Sequence, residues 1–196
     1  MRLITWNINS VRLRMPLLAK LTAETKPDVV CLQETKVHDD QFPLKDIQEL
    51  GYEHIHFRGM KGYNGVAILS RLPFEATDGQ NWCDKQDCRH ASVKVQGGVE
   101  IHNFYVPAGG DVPDPDENEK FAHKLSFLEE IADWFTQNCK TNDKLIMVGD
   151  LNIAPLETDV WSHKQLLKVV SHTPIEVEKL KIEQQSNGWI DAVRHF

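Results

Sequence analysis

The sequence predicts a mixed α/β domain in which β-strands pack between helices. Three observations carry that reading. Three short β-branched runs end abruptly in polar residues, residues 52–106 alternate apolar with polar side chains, and two later stretches carry helical signatures.

The first run, Leu3-Ile4-Thr5-Trp6, leads into Asn7-Ile8-Asn9. The second, Asp28-Val29-Val30-Cys31-Leu32, leads into Gln33-Glu34-Thr35-Lys36. The third, Lys144-Leu145-Ile146-Met147-Val148, leads into Gly149-Asp150-Leu151-Asn152. Short apolar runs bounded by turn-forming residues read as buried strands. Between the first two, Val11, Leu17, Leu18 and Leu21 recur on one side of a helix. Ser10 is placed to cap that helix, and Pro16 to kink or restart it.

In residues 52–106, His54-Ile55-His56-Phe57 and Val66-Ala67-Ile68-Leu69 flank Gly62-Tyr63-Asn64-Gly65, and Asn-Gly is a strong hairpin signal. Alternation returns in residues 91–95 and 99–105, so the whole segment reads as a meander of antiparallel strands. A loop with three prolines and a Gly-Gly pair, residues 107–116, then precedes the clearest helix. There Phe121, Leu125, Leu128, Ile131, Ala132 and Phe135 follow 3–4 spacing. Thr173-Pro174-Ile175-Glu176 combines a capping box with proline at the first helical position, and Gly188 is placed to end that helix. Trp189 to Phe196 begins another apolar-periodic element with no cap or polar tail, which predicts a chain truncated at its C-terminus.

Composition narrows the function classes. Of 196 residues, 41% are hydrophobic and 26% charged, enough apolar material for a real core rather than long disorder. Four scattered cysteines (Cys31, Cys83, Cys88 and Cys139) build neither a disulfide framework nor a zinc ribbon. There is no apolar leader and no run near the ~18 apolar residues that a membrane span needs. A cytoplasmic protein with no membrane partner and no obligate protein partner is the expectation. Residues 1–100 carry 13 Lys/Arg and 13 Asp/Glu, whereas residues 101–196 carry 9 and 16 and hold the net charge of −7. That acidity argues against coating nucleic acid by bulk attraction. It leaves room for a nuclease with a local basic rim around a metal.

Ligands in α/β sheets bind beyond the carboxyl ends of strands, and Asn7, Glu34, Asp150 and Asn152 all sit there. If those strands lie side by side, the four side chains converge on one rim. Two carboxylates and two amides offer only oxygen ligands and hydrogen-bond donors. That set suits Mg²⁺ or Mn²⁺ rather than zinc, and a Mg²⁺ held by one or two carboxylates recruits phosphate oxygens for phosphoryl transfer or hydrolysis. Any one of these residues could simply shape a turn; four of them at three strand ends favour a site.

Thr5-Trp6-Asn7-Ile8-Asn9, Leu32-Gln33-Glu34-Thr35-Lys36, Tyr105-Val106-Pro107-Ala108-Gly109 and Gly149-Asp150-Leu151-Asn152 follow the order and spacing of the exonuclease III family. These are the abasic-site endonucleases and 3′-exonucleases of the endonuclease/exonuclease/phosphatase superfamily. The resemblance runs over residues 1–196. Gly-Asp-x-Asn alone marks the superfamily, and Gln-Glu-Thr-Lys with the Tyr-Val-Pro segment points to its DNA-repair branch.

The resemblance implies a four-layered sandwich, two mixed β-sheets flanked by helices, as one domain over residues 1–196 that lacks the last strands of its second sheet. It implies a Mg²⁺-dependent hydrolase (Mn²⁺ being the alternative ion) that cleaves double-stranded DNA 5′ to abasic sites. The same enzyme would remove 3′ nucleotides or blocking groups in base-excision repair. Glu34 would ligate the metal, with Asn7, Asp150 and Asn152 in the same metal–phosphate region. Asp150 would act as general base, Asn152 would stabilise charge on the phosphorus oxygens, and Tyr105 would bond the scissile phosphate or assist the leaving oxygen. Family members continue with an Arg-x-Asp strand and a terminal Asp-His that these 196 residues do not contain. Two other readings stay open: a superfamily phosphoesterase for an inositol phosphate or a sphingolipid, and an incomplete fragment that only binds metal or DNA.

Among the cations, Lys36, next to the metal glutamate, and Arg89 are the expected DNA-backbone contacts; Arg12, Arg58 and Lys61 read equally well as solvated surface. His54, His56, His90 and His102 read as the exposed face of strands, and His195 matches no catalytic position. Trp82 and Tyr63 read as core or hairpin aromatics, and Cys31 as a small core hydrophobe.

Overall fold

The computed structural model describes residues 1–140 and 142–195. Backbone contacts divide them into two compact units, residues 1–105 with 144–150, and residues 106–143 with 151–196. The fold is α/β with two mixed sheets and helices.

The first unit holds both sheets. Its strands are β1 (Leu3–Asn7), β2 (Val29–Gln33), β3 (His54–Arg58), β4 (Val66–Ser70), β5 (Phe74–Asp78), β6 (His90–Val95), β7 (Val99–Tyr105) and β8 (Leu145–Asp150). One sheet runs β1-β2-β4-β3 and the other β5-β6-β7-β8. β1 lies parallel to β2 and β7 parallel to β8; the remaining pairs are antiparallel. Between the sheets Val29, Cys31, Val66 and Ile68 pack on Ala91, Val93, Val95 and Ile101. On the other face of the first sheet Val30, Leu32, Ala67 and Leu69 join Leu18 of α1 (Met15–Thr25) and Ile47 of α2 (Leu44–Glu49). β2 is therefore covered on both faces, and all five of its residues are buried. This is why its sequence runs without alternation.

Several expectations are corrected here. The run from 52 to 106 is not one meander: β3 and β4 complete the first sheet, and the chain crosses at residues 71–73 to begin the second. β5 escaped notice because four of its five residues are exposed, leaving no apolar alternation. Asn64-Gly65 is not a two-residue hairpin tip, since Arg58 pairs with Val66 and seven residues intervene. Ser10 caps no helix. Its φ is +86°, and α1 starts afresh at Met15-Pro16 after a 3₁₀ turn at Arg12–Arg14. Leu17 is exposed, while Leu18 is buried as expected. His90 and His102 are fully buried rather than solvent-facing, ring-stacked and joined Nε2 to Nδ1 at 3.1 Å.

The second unit contains α3 (Glu119–Asn138), α4 (His163–Leu166), α5 (Pro174–Ser186) and α6 (Ala192–His195). Asn118 caps α3 by accepting from the Lys120 amide, and the expected stripe from Phe121 to Phe135 is buried. α5 has the expected capping box, with Thr173 and Glu176 bonding reciprocally. α3 and α5 pack on each other. Among the described residues no helix is long and apolar enough to cross a membrane, and no disulfide joins the four cysteines.

Candidate active site

Strand ends build the site. β1 and β2 are parallel neighbours, so Asn7 and Gln33 end in register, and Glu34 follows. β8 is not beside them, as a single-sheet arrangement would require, but in the other sheet. Asp150 reaches the same place because the two sheets face each other. In the second sheet Tyr105 is the parallel register partner of Asp150. One position earlier Gly149 sits opposite Phe104, where an added Cβ would lie 2.0 Å from the Phe104 carbonyl oxygen at a φ of +149°. Only glycine lets β8 approach β7 at this point.

The turn carrying Glu34 is gripped from both sides. From the β1 exit, the amides of Ile8, Ser10 and Val11 donate to the carbonyls of Gln33, Glu34 and Thr35 at 3.0, 2.7 and 3.1 Å. From the other side, the amides of Thr35 and Lys36 donate to the carbonyls of Gly65 and Asn64 at 3.1 and 2.9 Å. The Asn-Gly pair thus serves as a wall of the Glu34 turn. These bonds hold Glu34 and Lys36 at φ of +54° and +52°, a left-handed conformation that costs a non-glycine residue about 1–2 kcal/mol. Beneath the turn, Gln33 Nε2 donates to Asn103 Oδ1 at 2.6 Å, and Asn103 Nδ2 donates to the Leu32 and Ala67 carbonyls at 2.9 and 3.0 Å. This buried amide pair staples the two sheets directly below the site.

The side chains converge on Asn7. Its Nδ2 donates to Glu34 Oε1 at 2.8 Å and to Asp150 Oδ2 at 2.7 Å. The Tyr105 hydroxyl donates to the same Glu34 oxygen at 2.9 Å. Lys36 Nζ lies 2.7 Å from Glu34 Oε2 and 2.6 Å from Asn9 Oδ1. Partial burial works to raise the Glu34 pKa, but donors from Asn7, Lys36 and Tyr105 outweigh it and hold the carboxyl below its usual range. Burial, and then the bond to Glu34, push the Tyr105 phenol up to about 12. Tyr105 is therefore a hydrogen-bond donor throughout the neutral range.

Arg89, expected at the DNA backbone, pairs with Asp87 and lies with its guanidinium 4.9 Å from the centre of the Tyr105 ring. Its Nη1 donates to the Tyr105 carbonyl at 3.2 Å, so it also steadies that tyrosine. Arg58 is committed to the fold, donating to the Gln80 and His90 carbonyls at 2.8 and 3.0 Å. Asn152 lies two residues beyond Asp150 in the second unit, at φ +51°, with Nδ2 donating to the Val106 carbonyl at 2.9 Å. Sequence reasoning passed over Asn9, Asn103 and Asn64-Gly65 as site elements. The Asn-x-Asn spacing after β1 was the one signal for Asn9.

The donor set is two carboxylates with amide and phenol groups. Among the described residues no three His, Cys, Asp or Glu side chains cluster as a ready-made cage. That fits a hard cation held by one or two carboxylates, with its remaining positions left to water and substrate.

A profile of the Endonuclease/Exonuclease/phosphatase family matches residues 4–189. The chain is 28% identical over 165 residues to exodeoxyribonuclease III of Haemophilus influenzae; the match covers 82% of this chain and 60% of that protein. Among solved structures, an AP endonuclease from Archaeoglobus fulgidus superposes with a TM-score of 0.90 at 32% identity, covering 98% of this chain and 73% of that one. The 3′ phosphatase NExo from Neisseria, bound to a product DNA hairpin, gives 0.86 at 28% identity, covering 95% and 71%. The chain thus spans about three-fifths of the length of the Haemophilus relative.

Proposed function

The chain belongs to the endonuclease/exonuclease/phosphatase family, and on that premise we propose that it is a metal-dependent DNA phosphodiester hydrolase of the exonuclease III class. It cleaves duplex DNA 5′ to abasic sites and removes 3′ nucleotides or 3′ blocking groups, in base-excision repair in the cytoplasm. The observation that carries this reading is the single amide of Asn7 joined to both Glu34 and Asp150. That arrangement sets two carboxylates around one polar point at the ends of strands from two sheets.

Glu34, Asp150, Asn7 and Asn152 would hold Mg²⁺ or Mn²⁺. When bound, the ion supplies Lewis-acid stabilisation of the phosphate's developing charge. Asp150 takes the proton of the attacking water, and Asn7 keeps that carboxylate aimed. Tyr105, protonated because its pKa is about 12, donates to Glu34 and orients it, and can turn its donor to a phosphate oxygen. Asn152 donates to the phosphorus oxygens, and Lys36 and Arg89 meet the DNA backbone. Phosphoryl transfer is mostly positioning and charge stabilisation, which suits a site made of carboxylates, amides and one phenol.

The test is a labelled duplex with one abasic site, run with Mg²⁺, with EDTA, and with an Asp150→Asn variant. Cleavage that needs the metal and is lost in the variant supports the reading. Hydrolysis of inositol phosphates or sphingomyelin with the duplex untouched would replace it by the small-phosphoester reading. Metal or DNA binding without any hydrolysis would leave only a binding role.

A further inference from the structure

The most deeply buried charges of the second unit lie in the scaffold behind Asn152. Lys124 of α3 and Glu176 of α5 are both fully buried and meet at 2.5 Å. A buried ion pair is poor value as a stabiliser, because desolvation offsets most of the attraction and an apolar pair of similar volume often serves as well. Its presence between two packed helices therefore calls for another reason, and the remaining bonds of both groups supply one.

Lys124 Nζ donates to the backbone carbonyl of Asn152 at 2.7 Å and to that of Ala108 at 3.3 Å, with Ser171 Oγ at 3.5 Å. Glu176 takes both the Ser171 and Thr173 amides, at 2.9 and 3.1 Å, and the Thr173 hydroxyl at 2.6 Å. Gly109 completes the knot, since a Cβ there would lie 2.9 Å from Val170 Cγ1 and 3.0 Å from Lys124 Cδ. Asn152 itself is held at φ +51°, and its side chain is fixed to the Val106 carbonyl. These anchors lead to segments beside the ammonium: the Asn152 carbonyl itself, and the loop of Val106 and Ala108. A lysine has three donors on one point, and here they are shared among the Glu176 carboxylate, the Asn152 and Ala108 carbonyls and the Ser171 hydroxyl.

We propose that Lys124 and Glu176 are positioning residues for Asn152. The ammonium clamps the turn after β8, and the carboxylate holds the ammonium in place. The inference rests on the proposed phosphate-contacting role of Asn152, while the clamp itself can be read without catalysis.

Replacing Lys124 alone strands a buried carboxylate, so the informative protein is the double variant Lys124→Met/Glu176→Gln, which removes both charges. Two readouts are taken at a temperature well below its melting point. The first is the Asn152 side-chain amide resonance in ¹⁵N-Asn-labelled protein, assigned by its loss in Asn152→Ala. The expected result is a shift toward solvent values with faster hydrogen exchange. The second is cleavage of the abasic duplex. Here kcat falls on the order of 10–100-fold with KM nearly unchanged, and adding the double variant to Asn152→Ala costs less than about twofold more.

Lys124→Arg keeps the buried charge and the carbonyl partners and should recover most of kcat, which a loss through general destabilisation would not track. A folded double variant with an unmoved Asn152 resonance and full kcat overturns the proposal. So does a further full loss on top of Asn152→Ala. If the double variant does not fold, the Glu176→Gln spectrum decides, since it removes the carboxylate that holds the ammonium, and an Asn152 resonance identical to wild type there overturns the clamp. If the unaltered protein cleaves no DNA, the functional reading fails and the resonance alone settles the positioning.

Discussion

Asn7 Nδ2 and Asp150 Oδ2 meet at 2.7 Å although 143 residues separate them. The same nitrogen serves Glu34 at 2.8 Å, so one amide aligns two carboxylates from different sheets. Asn7→Ala should raise the Glu34 pKa, because a donor that lowers it is removed. The carboxyl ¹³C shift of Glu34 against pH would show this, and an unchanged midpoint would refute it. The sign for stability follows: a lowered folded pKa contributes stability above the unfolded value and loses it as pH falls through the folded one. The variant should therefore lose stability at neutral pH and show a weaker acid dependence. Duplex cleavage should fall on the order of 10²-fold, as for loss of one preorganised donor.

Tyr105 gives a second, spectroscopic test. Its phenol ionises near 12, whereas the reference value for tyrosine is about 10. The chain has three tyrosines, and absorbance near 295 nm should show a phase near pH 12 that Tyr105→Phe abolishes. Loss of some other phase would contradict the assigned environment. The same variant should lower kcat with little change in melting temperature, since it deletes one hydroxyl and no packing volume.

Gly149→Ala tests the approach of β7 and β8. A methyl 2.0 Å from the Phe104 carbonyl oxygen forces backbone to move. The expected cost is about 2–4 kcal/mol, or a melting temperature lower by roughly 5–15 °C for a chain of this size. A melting curve matching wild type would show that the strands can part without cost. Gly62→Ala, whose added Cβ meets nothing within 4 Å although its φ is also positive, separates the effect of crowding from that of φ.

Two buried titratable groups should shape the pH dependence of stability in opposite ways. Burial pushes the Glu183 carboxyl of α5 up to about 7, from an ordinary 4.5. The folded state then binds more protons than the unfolded one between those values, so stability falls as pH rises through that window. Glu183→Gln should raise the melting temperature at pH 8 and leave it nearly unchanged at pH 4.5; equal effects at both would exclude titration as the cause. Burial, aided by the charges of His102, Arg58 and His56, holds His90 well below its usual pKa. Its stability contribution is full above the unfolded pKa, about 6.5, and is lost as pH falls below it. His90→Gln should flatten the acid limb.

Local chemistry made part of this molecule readable. Thr173 and Glu176 are three residues apart and cap their own helix, so the α5 start needs no knowledge of the rest of the fold. The run before Glu34 is recognisable because β2, covered on both faces, is buried at all five positions, and the runs before Asn7 and Asp150 because short apolar stretches give way to polar residues where those strands end. Those boundaries were written in the chain itself, whereas the need for glycine at position 149 came from the pairing of β8 with β7. The tertiary structure alone decided which strand lies in which sheet, because a crossing at residues 71–73 leaves no mark on alternation. It also decided that Asp150 faces Asn7 across two sheets rather than beside it in one. The burial of His90, His102, Lys124 and Glu176 was decided there too. A polar side chain is buried when partners converge on it, and those partners, such as Asn152 for Lys124, come from elsewhere in the chain.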